Sequence, residues 1–324
     1  MKSKRGWIFR FWILFALAVW ATLFNRLIDF SFLQAHWFYP FVMVLGGFVA
    51  GISPEGGGAV AFPVLSIFFE VDRATARDFS LMIQSVGMTS ASIFILTRPA
   101  ANIGVFRPLL WFVPVAFAGF VTGMQFFQDL PVYLLQALFL GMITSFTAAY
   151  LFSDHRGTEE LFLSTQGGKL SAAAVLFAGG FCTSLFGTGA DILFYTLLVT
   201  RLRIKEKVAT HFSIILMAAL SVLGFTYRGL FEEALTGYQY RTWLTACPVV
   251  LFMAPLGALL LARMRVEWML RCLVLLNIGQ MLYFNLNEPS LSKILASTVF
   301  LGIFAAVFVT ALDHLALTRA KTNA

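Results

Sequence analysis

Apolar runs long enough to cross about 30 Å of hydrocarbon recur from one end of the chain to the other, separated by short polar connectors. The first covers about Trp7 to Phe24. Trp37 to Ser53 and Ala59 to Phe69 form a pair interrupted at Pro54 to Gly58, and after the connector Glu70 to Asp78 a helix is predicted to about Thr97. That helix carries Asp78, Ser85, Thr89 and Ser92 at helical spacing, with Ser80, Gln84 and Gly87 beside them, so one polar side should face a bundle interior. Spans follow at about Leu109 to Phe127 and Val132 to Phe152. Beyond the hydrophilic stretch Ser153 to Lys169, a second broken run contains Gly179 to Thr196. Further spans are predicted at about Ala209 to Phe225, Thr242 to Leu261, Trp268 to Tyr283 and Leu291 to Leu312. The fold class this predicts is an all-α, polytopic membrane helix bundle.

The two broken runs organise the rest. In each, an apolar helix stops at a glycine-rich turn carrying one carboxylate, Glu55 or Asp191, and a second apolar helix follows. Backbone groups freed by such a turn find no water in hydrocarbon, so the break survives only where it is buried in protein or lines a polar cavity. Paired breaks of this kind point to a transporter with its site near mid-membrane. The halves of the first run total roughly 40 Å at 1.5 Å per residue, more than one crossing needs. They either fold back as a re-entrant hairpin, the reading favoured here, or make one long crossing.

Adding 133 to a residue number maps the first half of the chain onto the second without a gap: Gly46, Gly47 and Phe48 onto Gly179, Gly180 and Phe181, Gly56 onto Gly189, and Phe79 and Ser80 onto Phe212 and Ser213. An ungapped match of this length argues for internal duplication. The expected organisation is an N-terminal membrane anchor and external loop (1–36), a first membrane repeat (37–152), a hydrophilic connector (153–169), a second repeat (170–285), and a C-terminal membrane helix with its tail (286–324). Glu55 then falls opposite Thr188, Gly58 opposite Asp191, and Asp78 opposite His211. The scaffold repeats while its ionisable groups do not.

Composition narrows the class further. The chain is 59% hydrophobic and 12% charged, which leaves no room for a soluble domain between the spans. Its net charge of +7 sits in short clusters at connectors, as positive-inside topology requires, and not along a face that would bind nucleic acid. Lys2, Lys4, Arg5 and Arg10 precede the first span with no small-residue cleavage site after it. An uncleaved helix with a cytoplasmic N-terminus in the cell (inner or plasma) membrane is therefore expected. The partition of Lys and Arg between the two sides discriminates only weakly between hairpin and crossing. Cys182, Cys247 and Cys272 show no paired spacing, and His36, His155, His211 and His314 match no metal-ligand spacing, so no metal or other cofactor is expected.

A glycine-rich turn that opens a helix offers bare N–H groups and a positive dipole end, which suit a small anion. The candidate substrate-binding residues are Glu55, Gly56, Gly57, Gly58, Gln84, Gly187, Thr188, Gly189, Asp191 and Tyr195. For Gly46, Gly47, Gly179 and Gly180, close helix packing competes evenly with a binding role. A carboxylate beside an anion repels it unless a proton or another cation is taken up, so Glu55 and Asp191 are candidate coupling groups, with helix capping as the alternative for each. Asp78 and His211 are the other coupling candidates, Asp78 more readily read as an interfacial cap. Arg77 and Arg98 lie near span ends, where snorkelling to the interface is expected.

Both broken runs resemble the TauE/SafE family, also called the TSUP transporters, whose halves each carry a run like G-x-x-x-G-x-x-G-x-G-G-G followed by Pro. Gly47, Gly51, Gly56, Gly57, Gly58 and Pro63 fit the first copy, and Gly180, Gly187 and Gly189 the second, where Ala190 and Asp191 replace later glycines. The resemblance spans about residues 37–285 and implies secondary transport of a small sulfur-containing anion such as sulfite or an organosulfonate. Pro54 and Glu55 stand where the family more often has Gly and an apolar residue. The expected partners are a small anionic substrate, the lipid bilayer and a coupling proton or cation. An intramembrane enzyme and a non-transporting sensor or scaffold are the alternative classes. The sequence does not specify an oligomeric state.

Overall fold

The structure is a computed structural model that describes residues 6–98, 102–151, 166–200, 202, 204–263 and 265–322. It is all-helical. The helices are α1 (Gly6–Leu27), α2 (Phe30–Ala35), α3 (Phe38–Ile52), α4 (Gly58–Pro63, continuing as a π turn over Val64–Phe68), α5 (Arg73–Thr97), α6 (Leu109–Phe126) and α7 (Val132–Leu151). After them come α8 (Gln166–Phe186), α9 (Ala190–Thr200), α10 (Glu206–Thr226, with a π turn over Tyr227–Phe231), α11 (Gly237–Leu261), α12 (Val266–Leu286) and α13 (Leu291–Thr322). Among the described residues, 8 helical segments are long and apolar enough to cross a membrane. Most of the Ser153 to Lys169 connector, His155 included, lies outside the described residues; its last four positions, from Gln166, already belong to α8.

The first broken run folds back on itself. The Phe38 ring at the start of α3 stacks on Phe69, just past the end of the second half, with centroids 4.4 Å apart. A Cβ on Gly57 would fall 3.0 Å from the Gly46 carbonyl, which places the start of α4 beside the middle of α3. The second run turns back in the same way, for a Cβ on Gly179 would meet the Ala190 Cα at 2.8 Å. The turn in each hairpin is made by a glycine in the left-handed region, Gly56 (φ 70) and Gly187 (φ 76), a conformation an L side chain resists.

The element boundaries recur at the offset read from the sequence: Arg73 at the start of α5 and Glu206 at the start of α10 are separated by it, as are Val132 of α7 and Arg265, the residue before α12. α5 and α10 run antiparallel through the centre, because Asp78 near the start of one pairs with Arg228 near the end of the other. Two hydrogen bonds join residues 133 apart, Thr188 Oγ1 to the Glu55 carbonyl at 3.3 Å and Thr144 Oγ1 to the Asn277 carbonyl at 3.5 Å. In a molecule of two matching halves, such contacts lie on the axis that relates them. The two hairpin turns therefore meet at the centre of the bundle.

Glycines set the close approach of the hairpins to their neighbours. α3 lies on α11, where a Cβ on Gly51 would fall 1.8 Å from the Ala254 carbonyl oxygen, and α8 lies on α6, where one on Gly180 would fall 1.7 Å from that of Ala116. Gly47 likewise abuts Val250. For Gly47 and Gly180 the packing role is thus the observed one. α1 is peripheral: none of its residues is buried, and it is held by Trp20 Nε1 donating to the Leu244 carbonyl at 2.8 Å. α13 rests on α7 through Ser145 Oγ donating to Leu301.

Valine at Gly51 should lower stability by about 1–3 kcal/mol, the usual cost of overpacking, or by more where backbone must move. Alanine at Gly302, around which a Cβ would meet nothing within 4 Å, should change it by less than about 0.5 kcal/mol. Thermal unfolding of the two variants in detergent checks this; equal midpoints would remove close packing as the reason for Gly51.

Candidate functional site

The first break runs from Ser53 to Gly57, between the last turn of α3 and the first of α4. Ser53 Oγ accepts from the Glu55 N–H at 3.3 Å, an ST turn that starts the reversal. No N–H of Gly56, Gly57, Gly58 or Ala59 donates a well-aligned hydrogen bond to another described group; the turn over residues 54–57 is closed only by weak backbone bonds, and all four residues are buried. Glu55 is 0% exposed. Its Oε1 accepts from Asn277 Nδ2 at 2.9 Å, while Oε2 has no partner among the described residues.

The second break is built differently. Asp191, the second residue of α9, turns back to accept from the N–H of Gly189 at 3.0 Å and of Ile192 at 3.1 Å, and Thr188 Oγ1 stands 3.3 Å from both its carboxylate oxygens. Thr183 Oγ1 takes the Ala190 N–H at 3.1 Å. Three of the amides around the start of α9, those of Gly189, Ala190 and Ile192, are therefore taken by the chain's own side chains, and Asp191 is a helix cap. Two equivalent turns thus differ in state: the first carries bare amides, the second is self-capped.

The turns are pressed together. A Cβ on Gly56 would fall 2.3 Å from Asp191 Oδ2 and 2.8 Å from Gln84 Oε1, and one on Gly58 would fall 2.5 Å from Thr188 Cβ. Gln84, on the polar side of α5, donates to the Gly187 carbonyl at 2.7 Å and to the Ser80 carbonyl at 3.0 Å, clamping the second turn. Of the candidate residues, the structure brings together Glu55, Gly56, Gly57, Gly58, Gln84, Gly187, Thr188, Gly189 and Asp191. Tyr195 lies one turn further along α9, fully buried, its ring edge-on to Phe146 at 5.9 Å.

Asp78 and His211 are not part of this cluster. Asp78 does not cap α5, since Asp72 accepts the Thr75 N–H there and Asp78 lies inside the helix. It accepts instead from Arg77 Nε at 2.9 Å, Arg228 Nε at 3.1 Å and Nη2 at 2.8 Å, and Gln239 Nε2 at 3.0 Å. Arg77 also donates to Gln128, and Arg228 to Glu232. The expectation that Arg77 snorkels is overturned, for it is 3% exposed and held in this network. Burial of its guanidinium is sustained by a carboxylate and an amide rather than by interfacial water. Arg98 does lie at its helix end, over the Phe94 ring at 4.9 Å. His211 lies inside α10, about 26 Å along that helix from Arg228 and so near the opposite end of the bundle. Its Nε2 is buried without a described partner.

Two residues that complete the site, Asn277 and Gln280 on α12, were not singled out in the sequence. Asn277 Nδ2 also faces the Ile143 carbonyl and Thr147 Oγ1, each at 3.2 Å, and Gln280 Nε2 reaches the Ala59 carbonyl at 3.4 Å. Two amides three residues apart within an apolar helix were the available signal, because polar groups at membrane depth are retained for a partner. More than 220 residues separate Asn277 from Glu55, so nothing local names the partner.

A comparison with protein families matches residues 39–284, more than half of the chain, to the family described as Sulfite exporter TauE/SafE. No curated protein and no solved structure matches the chain.

Removing Asp78 would leave the buried Arg77 without its carboxylate and Arg228 with Glu232 alone, so Asp78→Ala should cost about 3–5 kcal/mol. At Asp191, Asn keeps the capping oxygen whereas Ala should cost about 1–2 kcal/mol. Unfolding midpoints across this set check both assignments; an unchanged midpoint in Asp78→Ala, or Asn and Ala behaving alike at 191, would contradict them.

Proposed function

The chain belongs to the sulfite exporter TauE/SafE family, and from that premise we propose that it moves a small sulfur oxyanion or organosulfonate across the membrane by secondary transport, binding it at the first helix break. The family is one of membrane transporters, not enzymes, and the chain is a multi-pass membrane protein. The observation that carries the site is the run of four buried N–H groups, Gly56 to Ala59, that donate no well-aligned hydrogen bond to a described group, at the meeting point of the two hairpins. Bare amides of this kind are the usual means by which protein holds an oxyanion without a formal positive charge.

The site is closed in this conformation. Ser53, Glu55, Thr188 and Asp191 are all fully buried, and the glycine Cα atoms of one turn touch side chains of the other. Admitting an anion requires the hairpins to separate. Such motion of one hairpin against the other about a central axis is the rigid-body rocking expected of paired, oppositely oriented repeats. The two halves, residues 37–152 and 170–285, would be the moving units.

A charged anion beside Glu55 and Asp191 would be repelled by both. Asp191 accepts from two backbone N–H groups and sits beside the Thr188 hydroxyl. Glu55 has a single donor, so it is the group whose charge can be cancelled by a proton or another cation as the anion binds. Co-transport of positive charge follows from that asymmetry.

Counterflow in proteoliposomes with sulfite, thiosulfate, sulfate and an organosulfonate tests the substrate class. Glu55→Gln, which keeps an oxygen for Asn277, should leave folding intact, reduce coupled uptake roughly tenfold or more, and flatten its pH dependence. Wild-type uptake with an unaltered pH profile would remove Glu55 from the mechanism, and no counterflow with any of the four solutes would defeat the transport reading itself.

A further inference from the structure

One face of α12 carries Asn277, Gln280 and Phe284 at positions i, i+3 and i+7, with Asn287 one turn beyond at the helix end. At the level of Asn277 is Glu55. At the other end, Phe284 and Asn287 line a polar cavity of about 240 Å³ together with Ser66, Gln136, Glu70 and Glu288. The opposing wall is α7, where Gln136 Nε2 donates to the Ser66 carbonyl and hydroxyl, both at 3.3 Å, and where, about two to three turns further on, Ile143 and Thr147 receive the Asn277 amide. Along this strip of α12 Phe284 stands between Gln280 and Asn287; it lines the cavity and is 2% exposed.

The polar atoms along the strip share one deficiency. Glu55 Oε2, Asn277 Oδ1 and Gln280 Oε1 are buried acceptors with no donor among the described residues. An acceptor buried in this way costs about 1–3 kcal/mol, and three on one strip call for positive charge. The Asn277 amide cannot be turned round to relieve this, because its Nδ2 already serves three acceptors, which a reversed amide would meet with an oxygen. Two carboxylates, Glu70 and Glu288, stand at the cavity with Lys293 also on its wall. Lys293 Nζ is engaged by the carbonyls of Asn287 and Glu288, at 3.2 Å each.

We propose that the coupling cation reaches Glu55 from this cavity along α12, past Phe284 as a plug, and is held by oxygens of Glu55, Asn277 and Gln280. The inference rests on the transport reading for its purpose, but not for its test. The ion is one that neutral amide oxygens and a single carboxylate can satisfy, a proton or a sodium ion; among the described residues no group of three or more His, Cys, Asp or Glu exists to hold a divalent metal. The charged group that faces Glu55 is Asp191, from the second break. α5, α7 and α12 present Gln84, Thr147, Asn277 and Gln280 toward the site, none of which titrates. The proposed cation ligands are side-chain oxygens, whereas the proposed anion ligands are the N–H groups of Gly56 to Ala59.

The test uses the full chain in lipid vesicles, without a transported solute. Infrared difference spectra are recorded on moving from mildly alkaline to mildly acidic buffer, and separately on replacing potassium with sodium. A carboxyl band that rises with acid and vanishes in Glu55→Gln supports the site with a proton. A carboxylate shift with sodium that vanishes in the same variant supports it with sodium, and neither response overturns it. Phe284→Ala should speed the response, followed as hydrogen–deuterium exchange or sodium binding, roughly tenfold, while Phe284→Trp should slow it. Unchanged rates in both variants overturn the route. Sulfite counterflow in the same vesicles separates the two claims: cation responses without flux keep this assignment and defeat the transport reading, whereas flux without either response does the reverse.

Discussion

A backbone amide at membrane depth has no water to turn to, so every break in a membrane helix must be answered by protein. The structure answers two breaks with each other. Gly56 and Gly187 reverse the chain in the left-handed conformation, and the turns they make meet at the bundle centre, where Thr188 reaches across to the Glu55 carbonyl. The positions of the other helices follow from this junction. α5 lies against both turns and clamps one through Gln84. α11 and α6 receive the outer faces of the hairpins only because Gly51 and Gly180 let the helices approach within contact of carbonyl oxygens.

Near-symmetry in the scaffold makes the asymmetry of its chemistry informative. The second turn caps itself with Asp191 and Thr183, which take the amides of Gly189, Ala190 and Ile192. The first turn has glycine where the second has Asp191, so its amides stay bare, and its own carboxylate points away to α12. The Asp78 network shows the same divergence at the bundle's end: Asp78 gathers two buried arginines, while His211 at the matching position stands on the opposite side with no such partners.

Much of this was legible in the sequence because glycine, offset and span length are local properties. The broken runs, the register of 133 and the polar side of α5 could be read directly, while excess length left hairpin and long crossing both open and the inverted pairing of repeats common in transporters favoured the hairpin. What could not be read depends on distant pairing. Asn277 and Gln280 are two amides in an apolar helix until Glu55 and Ala59 are seen beside them. Arg77 sits near a helix end, so snorkelling was the natural expectation, and only the approach of the segment after α6 shows that Gln128, with the neighbouring Asp78, holds it inside. Asp72 caps α5 in place of Asp78 because the helix begins six residues earlier than the connector read from the sequence allowed.

The central claim is that the bare amides of the first turn receive the anion when the hairpins part. Selenite is a close stand-in for sulfite whose selenium scatters anomalously, so a crystal of the full chain grown with it locates the anion directly. The account predicts an anomalous peak within hydrogen-bonding reach of the N–H groups of Gly56 to Ala59, between the two hairpins and beside Glu55. A peak held elsewhere in the bundle, with the two turns still closed on each other as they are here, would contradict it.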